Sequence, residues 1–271
     1  MSNYYKTRED LKREYNGHTL YRIQALKDLP EHNVKAGDVG GWIEKADNLQ
    51  DKAWVAGNAK IYGNAKVSGN AYICGNAAVF GDACVFGNAQ IYENAEIYGK
   101  ACIYDNAEVR GYALIYGSSY IFGNAKVYDY AEVHGRSRIC DDTAVYNHAH
   151  IYGGIIRDNA RVYDNAKVCK AAIIHGNAEI FGNAFVCNNA EVCGCAKLFD
   201  NATLHNYAKA CGNVQIGDNA SLWDCSKACG NAKIGGNIKI RGNTVISGNT
   251  KLTEEDASKI ILSANRTKQH E

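Results

Sequence analysis

The chain has 271 residues, a formal net charge of +1, one proline and 27 glycines. The near-neutral balance excludes a global attraction to nucleic acid or to an acidic membrane and leaves only local patches. No apolar run approaches membrane-spanning length, so no membrane partner is expected.

The first segment, MSNYYKTREDLKREYNGH, is charged and has no apolar core, so it does not read as a signal peptide. The eleven cysteines are odd in number and lie inside a repeat rather than at disulfide-framework spacings. Free thiols and a cytoplasmic location are therefore expected. Residues 1–48 stand apart from the rest of the chain and are expected to form a small α/β cap, with Thr7–Tyr15 as a short helix and Thr19–Leu26 as a strand. The cap ends in VKAGDVGGWI, Val34 to Ile43.

From Leu49 an aliphatic residue returns at every sixth position: Val55, Ile61, Val67, Ile73 and onward to Ile151. Two residues before each stands a small one, usually alanine, as in Ala65-Lys66-Val67-Ser68-Gly69-Asn70. Period-two alternation places the small and aliphatic residues on one face of a short strand. The Gly-Asn or Asp-Asn pair then turns the chain, because these residues tolerate left-handed backbone angles. One such rung cannot bury its inner face alone, whereas a stack of rungs can. Residues 49–252 are expected to form one parallel β-helix. The register breaks once, at Ile151-Tyr152-Gly153-Gly154-Ile155-Ile156, where the step is five. A corner short of one residue, with the glycine pair absorbing the strain, is preferred there to a kink shaped for function. Thr253-Glu254-Glu255-Asp256 reads as a helix start, and residues 253–271 are expected to form a capping helix that lays Ala257, Ile260 and Ile261 on the last turn.

This pattern resembles the hexapeptide-repeat proteins. The resemblance implies an all-β, left-handed parallel β-helix with three rungs per triangular turn, hence roughly twelve turns and a rod of roughly 55 Å. The Lys35-Ala36-Gly37 and Gly40-Gly41-Trp42 stretches resemble the cap of a bacterial and prophage-borne subfamily often given a transferase label. They imply that Trp42 plugs the first turn.

Residues just after each aliphatic point outward and, with an eighteen-residue turn, align into three columns. The first runs Tyr62, Phe80, Tyr98, Tyr116, His134, Tyr152; the second Ser68, Phe86, Tyr104, Phe122, Cys140; the third Cys74, Tyr92, Arg110, Tyr128, Tyr146. Ring ladders stabilise a solenoid, and contiguous exposed aromatics also mark a contact surface. The candidate binding residues are therefore Tyr62, Phe80, Phe86, Tyr92, Tyr98, Tyr104, Tyr116, Phe122 and Tyr128. Beyond the register break the second column continues as Arg157, His175, Cys193, Cys211 and Cys229. A straight column offers poor tetrahedral geometry, so small side chains filling a crowded column are preferred to a metal site, and no metal or cofactor is expected.

Hexapeptide-repeat proteins include acyl-CoA-dependent acyltransferases with a histidine base, usually beneath a loop that leaves the helix. Here no loop interrupts the rungs, and the candidate histidines His134, His148, His150, His175 and His205 show no orienting carboxylate in a motif. No catalytic residue is assigned. The expected function is a non-enzymatic binding scaffold that engages a protein partner, with a homo-oligomer (dimer or trimer) also plausible. The occurrence of the resembled subfamily on prophages implies a phage accessory protein that inhibits a host defence complex. The alternative is an acyltransferase. Lys60, Lys66, Lys126 and Lys167 are interspersed with Glu96, Glu108 and Glu132, so a nucleic acid partner finds no clear basic stripe.

Overall fold

The computed structural model of the protein describes residues 4–253. They are all-β apart from two single 3-10 turns, Pro30–His32 and Ala46–Asn48. The expected C-terminal helix lies outside the described residues. The chain divides into two compact units, residues 1–147 and 148–271.

The first unit opens with an antiparallel hairpin of β1 (Tyr5–Tyr15) and β2 (His18–Ala25). Asn16 and Gly17 turn it with φ of 49° and 80°, the left-handed pair that matches strand twist. The helix expected at Thr7–Tyr15 is thus a strand. That segment has no apolar stripe to bury as a helix, and pairing with β2, whose Leu20 and Ile23 are fully buried, overrides its local propensity. The cap is β-structure rather than α/β.

Strand β3 (Val39–Ile43) joins the cap to the repeat. One side pairs antiparallel with β2, and the other pairs parallel with Lys60–Ile61. Gly41-Trp42-Ile43 is therefore already a rung, one step before Leu49. Gly41 fills the small inner position, where a Cβ would stand 2.7 Å from Val55 Cγ2 and 2.8 Å from the Ala59 carbonyl oxygen. Alternation then sends Trp42 outward rather than into the first turn. Its ring lies between the guanidinium groups of Arg13 and Arg22, at 4.1 and 4.4 Å. The Tyr5 hydroxyl bonds to the carbonyls of Ala46 and Leu49 instead, tying the hairpin to the first turn.

Past the cap, two-residue strands pair in parallel with strands eighteen residues away, as in Lys60↔Ala78, Lys66↔Cys84 and Trp54↔Tyr72, giving three rungs per turn. The inner alanines and aliphatics are fully buried apart from those of the last rungs, such as Ile246. Each such aliphatic contributes on the order of 1.5–3 kcal/mol of transfer free energy. Among the polar small inner residues, Ser119 donates to the Tyr116 carbonyl and Ser137 to the His134 carbonyl, whereas the buried Ser226 hydroxyl has no hydrogen-bond partner among the described residues. Most corners hold glycine or a left-handed Asp or Asn, with Glu93 and Lys170 taking the same backbone at φ 60° and 59°. At Gly111 (φ 73°) a Cβ would lie 2.6 Å from the Asp129 nitrogen of the next turn. Corner asparagines bond side chain to side chain from turn to turn, through Asn70, Asn88, Asn106, Asn124 and Asp142.

The second unit uses the same rung. Its two long strands, His150–Ile156 and Lys167–Ile174, each run through a corner and pair in parallel. Ile151 faces Val168, 17 residues on, while Ile156 faces Ile174, 18 residues on, with the shift between Gly153 and Ile155. The five-residue step is therefore a shortened corner. Gly153 and Gly154 have φ of 84° and 89°, and a Cβ on either would meet a backbone oxygen of the neighbouring turn at 2.7 Å. Gly154 serves as both corner and small inner residue.

Candidate functional site

The strand register puts the nine candidate aromatics on three separate sides of the first unit. In the first column Tyr62, Phe80, Tyr98, Tyr116 and His134 stack nearly parallel, with centroids 4.6–5.0 Å apart. Tyr62 is not available to a partner: it is only 6% exposed, covered by Tyr15 and His18 of the hairpin. The Tyr116 hydroxyl donates to Glu132, and burial together with that carboxylate raises its pKa. In the third column Tyr92 donates to Glu108 and is raised in the same way. Arg110 covers the Tyr128 ring at 4.4 Å and pairs with Glu108 at 3.2 Å. The phenols Tyr92 and Tyr116 are thus engaged by carboxylates of their own sides.

The second column differs. Phe86, Tyr104 and Phe122 stack at 4.9 Å with interplanar angles of 5° and 1°. The outward ladder beside it is Lys66, Cys84, Cys102, Tyr120 and Arg138, which contains no carboxylate. Phe86 is 39% and Tyr120 42% exposed. Burial, with Cys84 alongside, pushes the Cys102 thiol up to about 11. Tyr120 escaped the sequence reading because it precedes its aliphatic, although that position also points outward. Tyr112 and Tyr130 escaped it because they replace corner asparagines; they stack at 5.1 Å and are more than half exposed.

The second unit brings titratable groups together in two places. Register aligns Cys169, Cys187, His205 and Trp223 in one column. Cys187 Sγ lies 3.1 Å from His205 Nδ1, and the imidazole stacks on Trp223 at 3.8 Å. Burial raises Cys187 to about 11 and lowers His205, so the pair is a neutral thiol beside a neutral imidazole rather than an activated thiolate. In the neighbouring column His175 Nε2 lies 3.1 Å from Glu191, with Asp158 3.6 Å from Nδ1. Two carboxylates thus flank a histidine for which the sequence offered no orienting partner, because strand pairing and a corner bring them in from other rungs. An open groove over Phe199, Gly217 and Gly235, edged by Lys233 and Lys251, has no histidine in its lining. All eleven cysteines are free thiols.

No known protein family and no curated protein matches the chain. Among the described residues no helix is long and apolar enough to cross a membrane.

Proposed function

We propose that the protein is a non-enzymatic binding scaffold whose partner-contacting surface is the second aromatic column of the first unit. The observation that carries this reading is the Phe86–Tyr104–Phe122 stack with exposed Tyr120 beside it and no carboxylate in the flanking ladder. Rigid stacked rings present apolar area at little entropic cost, which is what the buried centre of a protein interface uses. The partner is a protein, with Lys66 and Arg138 in the flanking ladder suited to an acidic rim. The resemblance to a prophage-borne, left-handed hexapeptide subfamily supports the narrower reading of a phage accessory protein that occupies a host defence complex. The test replaces Phe86, Tyr104 and Phe122 together by serine and compares capture of partners from host lysate and solution mass by light scattering. We expect the captured protein, or the second copy if the partner is the chain itself, to be lost while circular dichroism is unchanged. Unaltered capture and unaltered mass would overturn the assignment.

A second reading, an acyl-CoA-dependent acyltransferase with His175 as general base, is favoured by the Glu191 and Asp158 contacts alone. It ranks lower because the groove at Phe199 contains no histidine. Calorimetry with an acyl-CoA, repeated on His175→Ala, tests it. Binding that vanishes in the variant would support catalysis, and no heat in either protein would dismiss it.

A further inference from the structure

We infer that His175, Glu191 and Cys193 form a binding site for a single zinc-like divalent ion on the outside of the second unit. One nitrogen, one oxygen and one sulfur ligand atom from these residues lie within 4.8 Å of one another. Tetrahedral zinc with nitrogen, oxygen and sulfur ligands needs separations of roughly 3.3–3.8 Å, so small side-chain adjustments close the set. A straight column of outward cysteines would not do this. Glu191 stands on the other side of inward Val192 from Cys193 and supplies a ligand from outside the column, while His175 comes from the preceding turn.

The surroundings of the histidine support the assignment. Metal-binding histidines characteristically present their second nitrogen to a carboxylate, which fixes the ring and raises its basicity. Here His175 Nε2 faces Glu191 and Nδ1 faces Asp158. Asp158 is itself held by the Gly176 backbone nitrogen, which donates to it at 2.8 Å. The ligands are half-buried, with 23% of the His175 and 32% of the Glu191 side chain exposed, so an ion can enter and a fourth position faces solvent. Three protein ligands with an open fourth position match the ligand count of reactive zinc sites rather than closed structural ones.

Without the ion, Lys209 supplies the positive charge. Its Nζ lies 2.7 Å from Glu191 Oε1. The thiolate is the metal-binding form of Cys193, so uptake of the ion releases the thiol proton to solvent and displaces the Lys209 ammonium. Lysine and metal compete for the same carboxylate.

The experiment uses the full chain, reduced and stripped with chelator, titrated with Zn²⁺ against a chromophoric chelator and separately with Co²⁺. The expected results are one ion per chain and a thiolate-to-cobalt charge-transfer band in the near ultraviolet. Both should be weakened at least tenfold in His175→Ala and Cys193→Ser. Asp158→Asn should weaken affinity by roughly 10–100-fold. Lys209→Met should strengthen binding, since it removes the competitor. If a ligand variant fails to fold, the cobalt spectrum of the unaltered chain and the Lys209→Met affinity decide. Absence of the thiolate band, or binding lost only when the exposed Cys195 and Cys225 are changed, overturns the site.

Discussion

The two units share an inner rung and differ on the outside. Both line their interiors with alanine and one aliphatic residue per rung, nearly all fully buried. Outside, the first unit stacks rings on all three sides, whereas the second places thiols and imidazoles in two columns and ends its Tyr163–Phe181–Phe199 ladder at Gly217. The inner positions have one packing solution, because a turn of fixed radius admits a small residue and a branched one and little else. The outer positions have no such constraint, so their chemistry can change from one unit to the other while the rung does not.

The largest effects test the shared interior. Ile103→Ala in the first unit and Leu204→Ala in the second should each cost about 2–5 kcal/mol in urea unfolding, since both residues are fully buried. Stacked repeats contact only their neighbours, so hydrogen exchange should rise in the unit that carries the change and stay slow in the other. Equal acceleration in both would break the comparison. Gly154→Ala should be costly for a different reason, positive φ and a backbone oxygen 2.7 Å from the new Cβ, by about 1–3 kcal/mol.

The Phe86, Tyr104 and Phe122 substitutions should abolish partner capture at a smaller cost in stability. Two ring pairs contribute about 1–3 kcal/mol together, read as a fall in Tm. Serine at Phe181 and Phe199 in the second unit is the control, expected to lower Tm similarly and leave capture intact.

Thiol reactivity sharpens the contrast further. At pH 8, iodoacetamide followed by mass spectrometry should label exposed Cys195 and Cys225 first. Cys102 and Cys187, raised to about 11, should hold only roughly 0.1% thiolate and react slowly until the pH nears that value. Rapid labelling of Cys187 at pH 8 would mean that His205 activates it after all. The smallest effect belongs to the corner ladder. Asn106→Ala removes exposed side-chain hydrogen bonds to Asn88 and Asn124 and should cost about 0.5 kcal/mol in the same urea assay.

Much of the fold was legible in the sequence because the six-residue period writes inside and outside directly onto the chain. The aliphatic run, the corner residues and the lost residue at Gly153–Gly154 followed from it, while the outward columns also needed the eighteen-residue turn that the resemblance implied. The cap was less legible. Thr7–Tyr15 is too polar to carry a period, and its strand state depends on β2, which it does not itself encode. Trp42 was misplaced because the Gly41-Trp42-Ile43 rung was not counted, though its small-x-aliphatic pattern was present. The candidate surfaces were legible as columns but not as sites. Nothing in the spacing of Tyr92 or Tyr116 reveals that Glu108 and Glu132 take up their hydroxyls, which leaves Phe86, Tyr104 and Phe122 as the uncommitted side.

By itself, then, the sequence determined the rung and the place where the register slips, because each depends on residues close together in the chain; the eighteen-residue alignment of the outer columns was only implied by resemblance and is set by the strand register. Only the tertiary structure decided that the cap is a hairpin, that Trp42 lies between two arginines, and that His175, next to Cys193 in its column, meets Glu191 and Asp158. Those contacts form between different rungs and across corners, where distance depends on how turns stack and not on how far apart two residues are in sequence.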